Sequence, residues 1–204
     1  MPNAYTDANG PRNAGILRHR APAALLAVLG LLIGLWAGLA RADGIDINHA
    51  SATVVNGVVM VSADMTYHLS DKAIEALVNG VPLTFNVDVE IKRYRKWLWN
   101  KTVVSVRQSY RLEYHALSKQ YLVVNLITGA HRTFQTLQDA IDGLGTIRRI
   151  PIVENHLLQH AGEYLARIQA QLDIEALPSP LSPIAYLSDD WRLSSDWYTW
   201  KLDL

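Results

Sequence analysis

The alternation of apolar and polar positions is clearest over residues 83–91. Leu83, Phe85, Val87, Val89 and Ile91 interleave with Thr84, Asn86, Asp88 and Glu90. A period of two over that length puts one face of a strand in a core and the other in water. Val104, Val106, Tyr110, Leu112 and Tyr114 alternate in the same way with Ser105, Arg107, Ser109, Arg111 and Glu113, so the two runs predict an antiparallel hairpin. Tyr164, Ala166, Ile168, Ala170, Leu172 and Ile174 form a third such run. Upstream, Ile45 and Ile47 predict a short first strand. Apolar residues at odd positions over 53–69 predict further strand, interrupted at Asn56-Gly57 by a hairpin turn or a bulge. The nearly unbroken apolar run over 121–127 predicts a strand buried on both faces, and 131–134 a further short strand. Pro151 restricts 147–153 to an edge strand or an extended connection.

Two short stretches have helical spacing instead. Ser70 is a suitable N-cap for a helix with Ile74, Leu77 and Val78 on one face, ended by Asn79-Gly80. Leu137, Ala140, Ile141 and Leu144 share a face in a second helix over 136–144. Residues 154–160 read as a helical turn or a polar loop. Pro178, Pro180 and Pro183 make 177–183 an extended crossing segment, and alternating Trp191/Leu193 and Tyr198/Trp200/Leu202 predict a last strand or hairpin. The expected fold is all-β: an antiparallel β-sandwich, immunoglobulin-like in architecture, with two short helices. A lipocalin-type barrel is the alternative.

The segment before the first strand changes the domain picture. Arg18, His19 and Arg20 precede an uncharged apolar run over 21–40, and Ala40-Arg41-Ala42 follows. This is the form of a secretory signal peptide cut after Ala42, and the length also suits a retained signal-anchor helix. The expected organisation is a polar and basic leader at 1–20, the signal or anchor at 21–42, and one domain at 43–204. Both readings export that domain to the periplasm or the periplasmic face of the inner membrane.

The chain has 204 residues and zero formal net charge. Of its 19 Lys+Arg and 19 Asp+Glu, four arginines and one aspartate precede residue 43, leaving 15 against 18 and a net charge of −3. That balance argues against nucleic acid as a partner. There is no cysteine, which excludes disulfides, thiolate catalysis and Cys-ligated zinc.

Few residues offer chemistry. His156 and His160 are four apart, as in a zinc-binding helix, yet no Glu follows His156 and a polar loop accounts for both. Asp88 and Glu90 face outward on one strand, as do Arg107 and Arg111 on its partner, and cross-strand ion pairs explain them more economically than paired-carboxylate catalysis. Ser194-Ser195-Asp196 lacks a Gly-x-Ser-x-Gly setting and a neighbouring His. No metal or cofactor is expected. The remaining candidate is the hairpin turn over 92–101, where Lys92, Arg93, Tyr94, Arg95, Lys96, Trp97, Trp99 and Lys101 gather five cations and three aromatics. Such a turn suits a solvated tip, an anionic membrane surface, or contact with an acidic partner or glycan.

Leu177-Pro178-x-Pro180-Leu181, followed by Asp190-Trp191-Arg192-Leu193-x-Ser195-x-Trp197-Tyr198-x-Trp200, resembles the C-terminal signature of a family of exported Gram-negative proteins, domain of unknown function number 4390. Arg167 stands in the strand where that family carries a basic residue. The resemblance covers about 45–204 and implies export, with no activity and no catalytic residues. The association of such genes with membrane sensor kinases implies a sensor complex as one possible partner. The functional expectation is a non-enzymatic binding or accessory domain that contacts an envelope protein. The alternative is a glycan- or lipid-surface-binding domain that uses the 92–101 turn.

Overall fold

The computed structural model describes residues 43–96, 101–158, 162–179 and 181–203. The leader and both readings of it lie outside these residues, as do Trp97, Trp99 and His160. Among the described residues no helix is long and apolar enough to cross a membrane.

The described chain is mostly β. Nine strands form two antiparallel sheets, joined by three short helices. The smaller sheet has the order β1–β2–β7, from Gly44–Val55, Val58–His68 and Thr146–Glu154. The larger has the order β6–β5–β4–β3–β8–β9. Its strands are β3 (Leu83–Arg93), β4 (Lys101–His115), β5 (Gln120–Asn125), β6 (His131–Phe134), β8 (Tyr164–Leu172) and β9 (Tyr198–Leu202). The helices are α1 (Asp71–Val78), α2 (Leu137–Gly145) and α3 (Leu181–Leu187).

The alternating runs become the strands that hold the core. On β2, Val59, Val61, Ala63, Met65 and Tyr67 are buried; on β3, Leu83, Phe85, Val87, Val89 and Ile91; on β8, Tyr164, Ala166, Ile168, Ala170 and Leu172. All belong to one cluster fed by both sheets. Tyr67 of β2 meets Phe85 of β3 edge-on with ring centroids 5.1 Å apart. Burying each large side chain of this set contributes about 1.5–3 kcal/mol. The Tyr67 hydroxyl has no hydrogen-bond partner among the described residues, and its burial pushes the phenol well above its ordinary pKa.

Both predicted helices are present, each with a side-chain N-cap: Ser70 as expected, and Thr136, which stands just before the second helix and not in it. The Ser70 hydroxyl accepts a hydrogen bond from the Ala73 amide at 3.1 Å, and the Thr136 hydroxyl accepts one from the Asp139 amide at 3.1 Å. At the end of α2 a methyl group on Gly145 would fall on the Met65 carbonyl, so only glycine lets the helix approach β2 this closely.

Three expectations need correction, and one open choice is settled. The first strand is not short: β1 runs for 12 residues, because a bulge at Asn48 shifts its inward phase from Ile45 and Ile47 to Ala50 and Ala52. The run at 121–127 is not a strand buried on both faces. The side chain of Asn125 accepts the amides of Ile127 and Thr128, both at 2.9 Å, and turns the chain, leaving Leu126 and Ile127 exposed. The residues after the first prolines of 177–183 are helical, which adds a third helix to the two expected. Pro183 sits in the first turn of α3, where its missing N–H is not required. Asn56-Gly57 settles as a hairpin turn with both residues at positive φ, joining β1 to β2.

Candidate binding surface

The outward face of the larger sheet carries the charged residues of its central strand, and these are matched. Asp88 lies opposite Arg107, which donates to both carboxylate oxygens at 2.7 and 3.0 Å. The carboxylate raises the Arg107 pKa further, first through that hydrogen bond and then through its charge. Glu90 lies opposite Arg167 of β8, whose Nε and Nη2 reach one Glu90 oxygen at 2.9 and 2.7 Å. The Trp197 ring covers the same guanidinium at 3.8 Å. Ser109 donates to Asn86, which donates to Asp173, at 2.7 and 2.9 Å. Arg111 lies against Glu113 at 2.5 Å, with its Nε–H not aimed at the oxygen. The ion-pair reading of Asp88, Glu90, Arg107 and Arg111 therefore describes these side chains, with Arg111 paired along its own strand and not across to β3.

The C-terminal signature residues are structural members of the fold. The Asp190 carbonyl accepts from the N-cap Ser70 at 2.7 Å, and its carboxylate holds Lys72 at 2.9 Å. Trp191 and Leu193 are buried. The Ser195 hydroxyl accepts the Ala170 amide at 3.0 Å, and its carbonyl accepts from Gln169 at 2.9 Å. Trp197 stacks on Arg167. These contacts fasten the last segment across β8 and onto the start of α1.

Ser194, Ser195 and Asp196 also line an open groove of about 420 Å³ with Asp43, Asp46 and His68. The sequence gives no sign of this meeting, since His68 is remote along the chain. His68 Nε2 pairs with Asp46 at 3.2 Å, and the buried Ser195 hydroxyl is engaged by backbone. His156 pairs with Glu154 at 3.2 Å. Among the described residues no three metal-ligating side chains come together.

The predicted turn residues separate into two groups. Lys92 joins the matched face, 3.5 Å from Glu90. Tyr94, Arg95 and Lys96 are exposed at the strand end, where the Tyr94 amide donates to the Glu163 carbonyl at 2.8 Å. Arg93 and Lys101 face each other directly across the ladder, and Arg93 is also paired in register with Tyr164 of β8. Together with Arg95, Thr102, Val103 and Leu157 they line a hollow of about 250 Å³. Arg93 and Lys101 make no ion pair among the described residues. Thr102, Val103, Tyr164 and Leu157 were not among the expected site residues. Alternation on either side of the turn would have matched Ile91 with Val104, but nothing in the sequence brings Leu157 here from the 3-10 turn after β7.

Two antiparallel sheets over one core, with no assembled metal site among the described residues and one end rich in cations, define a mostly β domain. The chain belongs to the family described as Domain of unknown function (DUF4390), whose model matches residues 42–201. No curated protein and no solved structure matches it.

Proposed function

We propose that this chain is an exported, non-enzymatic binding domain of the cell envelope, a two-layer β-sandwich that works by protein–protein contact through the end of the β3–β4 hairpin. One observation carries the reading. Charges along the central strand of the large sheet are matched to opposite charges, whereas Arg93 and Lys101 are set opposite each other. A strand that pairs Asp88, Glu90 and Lys92 and juxtaposes two cations at its end keeps positive charge there for something outside the fold. Export rests on the apolar stretch at 21–40 and its basic flank. The partner is an envelope protein with an acidic surface, a membrane sensor complex being one such assembly.

The test is recovery of crosslinked partners from cell envelopes with a tagged full chain expressed at native level. One protein partner, enriched over an Arg93→Gln/Lys101→Gln variant, is the expected result. No enrichment, or equal enrichment by the variant, overturns the reading.

A second reading has its own support. Tyr94, Val103 and Leu157 are exposed by 46%, 43% and 62% around the cations, the composition of a contact with an anionic membrane surface. Retention on liposomes that is lost in Trp97→Ala/Trp99→Ala would favour that reading over the first.

A further inference from the structure

From the hollow at the hairpin end we infer that it is a seat for one carboxylate, supplied by an Asp or Glu in an extended acidic segment of a partner protein. The inference rests on the protein-contact reading above and names the group that contact recognises.

The inward column of β3 explains the seat. Ile91 is buried, and two residues on, the same face presents Arg93, half-buried at the edge of the core. Its ladder neighbours are Lys101 on one side and Tyr164 on the other. β4 carries an extra residue here: Ile91 pairs with Val104 and Lys92 with Thr102, so Val103 is bulged out and lines the hollow. Bulges re-aim side chains and are common beside functional sites. Leu157 lines the hollow as well. The result is a recess lined by cations and by apolar carbon.

The acids next to this recess in sequence are engaged elsewhere. Glu163, beside Tyr164, lies 4.0 Å from Lys201, and Glu154, three residues before Leu157, holds His156 at 3.2 Å. No internal carboxylate among the described residues pairs with Arg93 or Lys101. A guanidinium fork and an ammonium facing one space match the two oxygens of a carboxylate. The hollow of about 250 Å³ suits one acidic side chain more than a drug-sized ligand, which occupies roughly 300–1,000 Å³. Val103 and Leu157 give apolar neighbours of that acid a surface to cover, and the exposed Arg95 and Lys96 extend the positive field that draws it in.

The test is fluorescence anisotropy of a labelled octapeptide alternating Leu and Glu, titrated with the purified full chain. Saturable binding is expected. It weakens at least about tenfold with Gln replacing Glu in the peptide, and with Arg93→Gln or Lys101→Gln in the protein. Lys101→Arg retains binding, which separates loss of charge from loss of fold. Equal binding of the Gln peptide overturns the inference. Displacement of the peptide by vesicles of phosphatidylethanolamine and phosphatidylglycerol at 3:1 also overturns it and assigns the seat to lipid phosphate. If the peptide fails while envelope crosslinking still returns one partner, the carboxylate seat falls and the protein-contact reading stands. If both fail, both fall.

Discussion

Lys101→Glu exchanges binding for stability, and the sign of its effect separates a functional cation pair from a structural one. Directly opposed residues on an antiparallel ladder have Cβ atoms about 4.5–5.5 Å apart, and a pair there is worth roughly 0.2–1 kcal/mol, unfavourable for like charges. The substitution removes one repulsion between Lys101 and Arg93 and creates one attraction. Lys101 is exposed, so solvent screening keeps the sum to about 0.5–1.5 kcal/mol in favour of the variant. For a domain of this size that is a rise in Tm of roughly 1–6 °C, at about 2–4 °C per kcal/mol. Calorimetry at 50 mM and 1 M salt is the assay. The gain shrinks at 1 M salt, where the Debye length is about 3 Å. The envelope contact is lost in the same variant, because the recess then holds its own carboxylate. A Tm that falls on Lys101→Glu would refute the reasoning, since it would mean that the ammonium stabilises the fold through a partner of its own.

Three further outcomes follow from the packing. Arg167→Ala lowers stability by about 2–4 kcal/mol through its charged hydrogen bonds to Glu90 and its stack on Trp197. A double-mutant cycle with Trp197→Leu measures about 0.5–2 kcal/mol of coupling, and a coupling near zero contradicts the clasp drawn for the C-terminal segment. Tyr67→Phe removes a buried hydroxyl that has no partner among the described residues and leaves the edge contact with Phe85, so denaturant melts show equal or greater stability, by up to about 1–3 kcal/mol. Because burial raises the Tyr67 pKa, the wild-type fold holds a proton that the unfolded chain releases near pH 10. Wild-type stability therefore falls as pH rises above that value, and Tyr67→Phe flattens the alkaline limb. Asp190 has the opposite sign: hydrogen bonds from Ser188 and Lys72 lower its pKa, so its contribution is present above the ordinary carboxylate range and is lost on acidification. Asp190→Asn reduces the acid-side slope in pH-dependent urea melts, and an unchanged slope counts against the pairing.

The sequence disclosed what depends on local pattern. The 83–91 alternation became the most buried strand of the large sheet: its apolar face is buried as expected, and Thr84 and Asn86 on the other face are covered as well. Ser70 caps its helix as its position foretold, and Thr136, read as the first residue of the second helix, is that helix's N-cap. The pattern failed where one residue changed the phase or the chain direction. The bulge at Asn48 disguised a long β1, and Asn125 ended β5 early against its apolar neighbours. The prolines of 177–183 argued against a helix, but Pro183 falls in the one turn that tolerates it. The candidate site was half visible. Its charges stand together at 92–101, and with the hairpin register known they sort into Lys92, matched, and Arg93 with Lys101, unmatched. Leu157 and Tyr164 reach the hollow by tertiary packing, which no local spacing records. The rarest feature of the sequence, three tryptophans at fixed spacing near the C-terminus, is the part the fold uses most for itself. Trp191 is buried, Trp197 is stacked on Arg167 and Trp200 packs on the core.

Position-specific photocrosslinking compares the two ends of β4 directly. A benzophenone amino acid replaces Val103 at the hollow in one version of the full chain, and Leu117, fully exposed in the turn after β4, in another. Irradiation of cells carrying each version at native level yields one dominant protein adduct from position 103, none from 117, and loss of the 103 adduct in an Arg93→Gln/Lys101→Gln background. An adduct from 117 and none from 103 would place the working surface elsewhere and contradict the account.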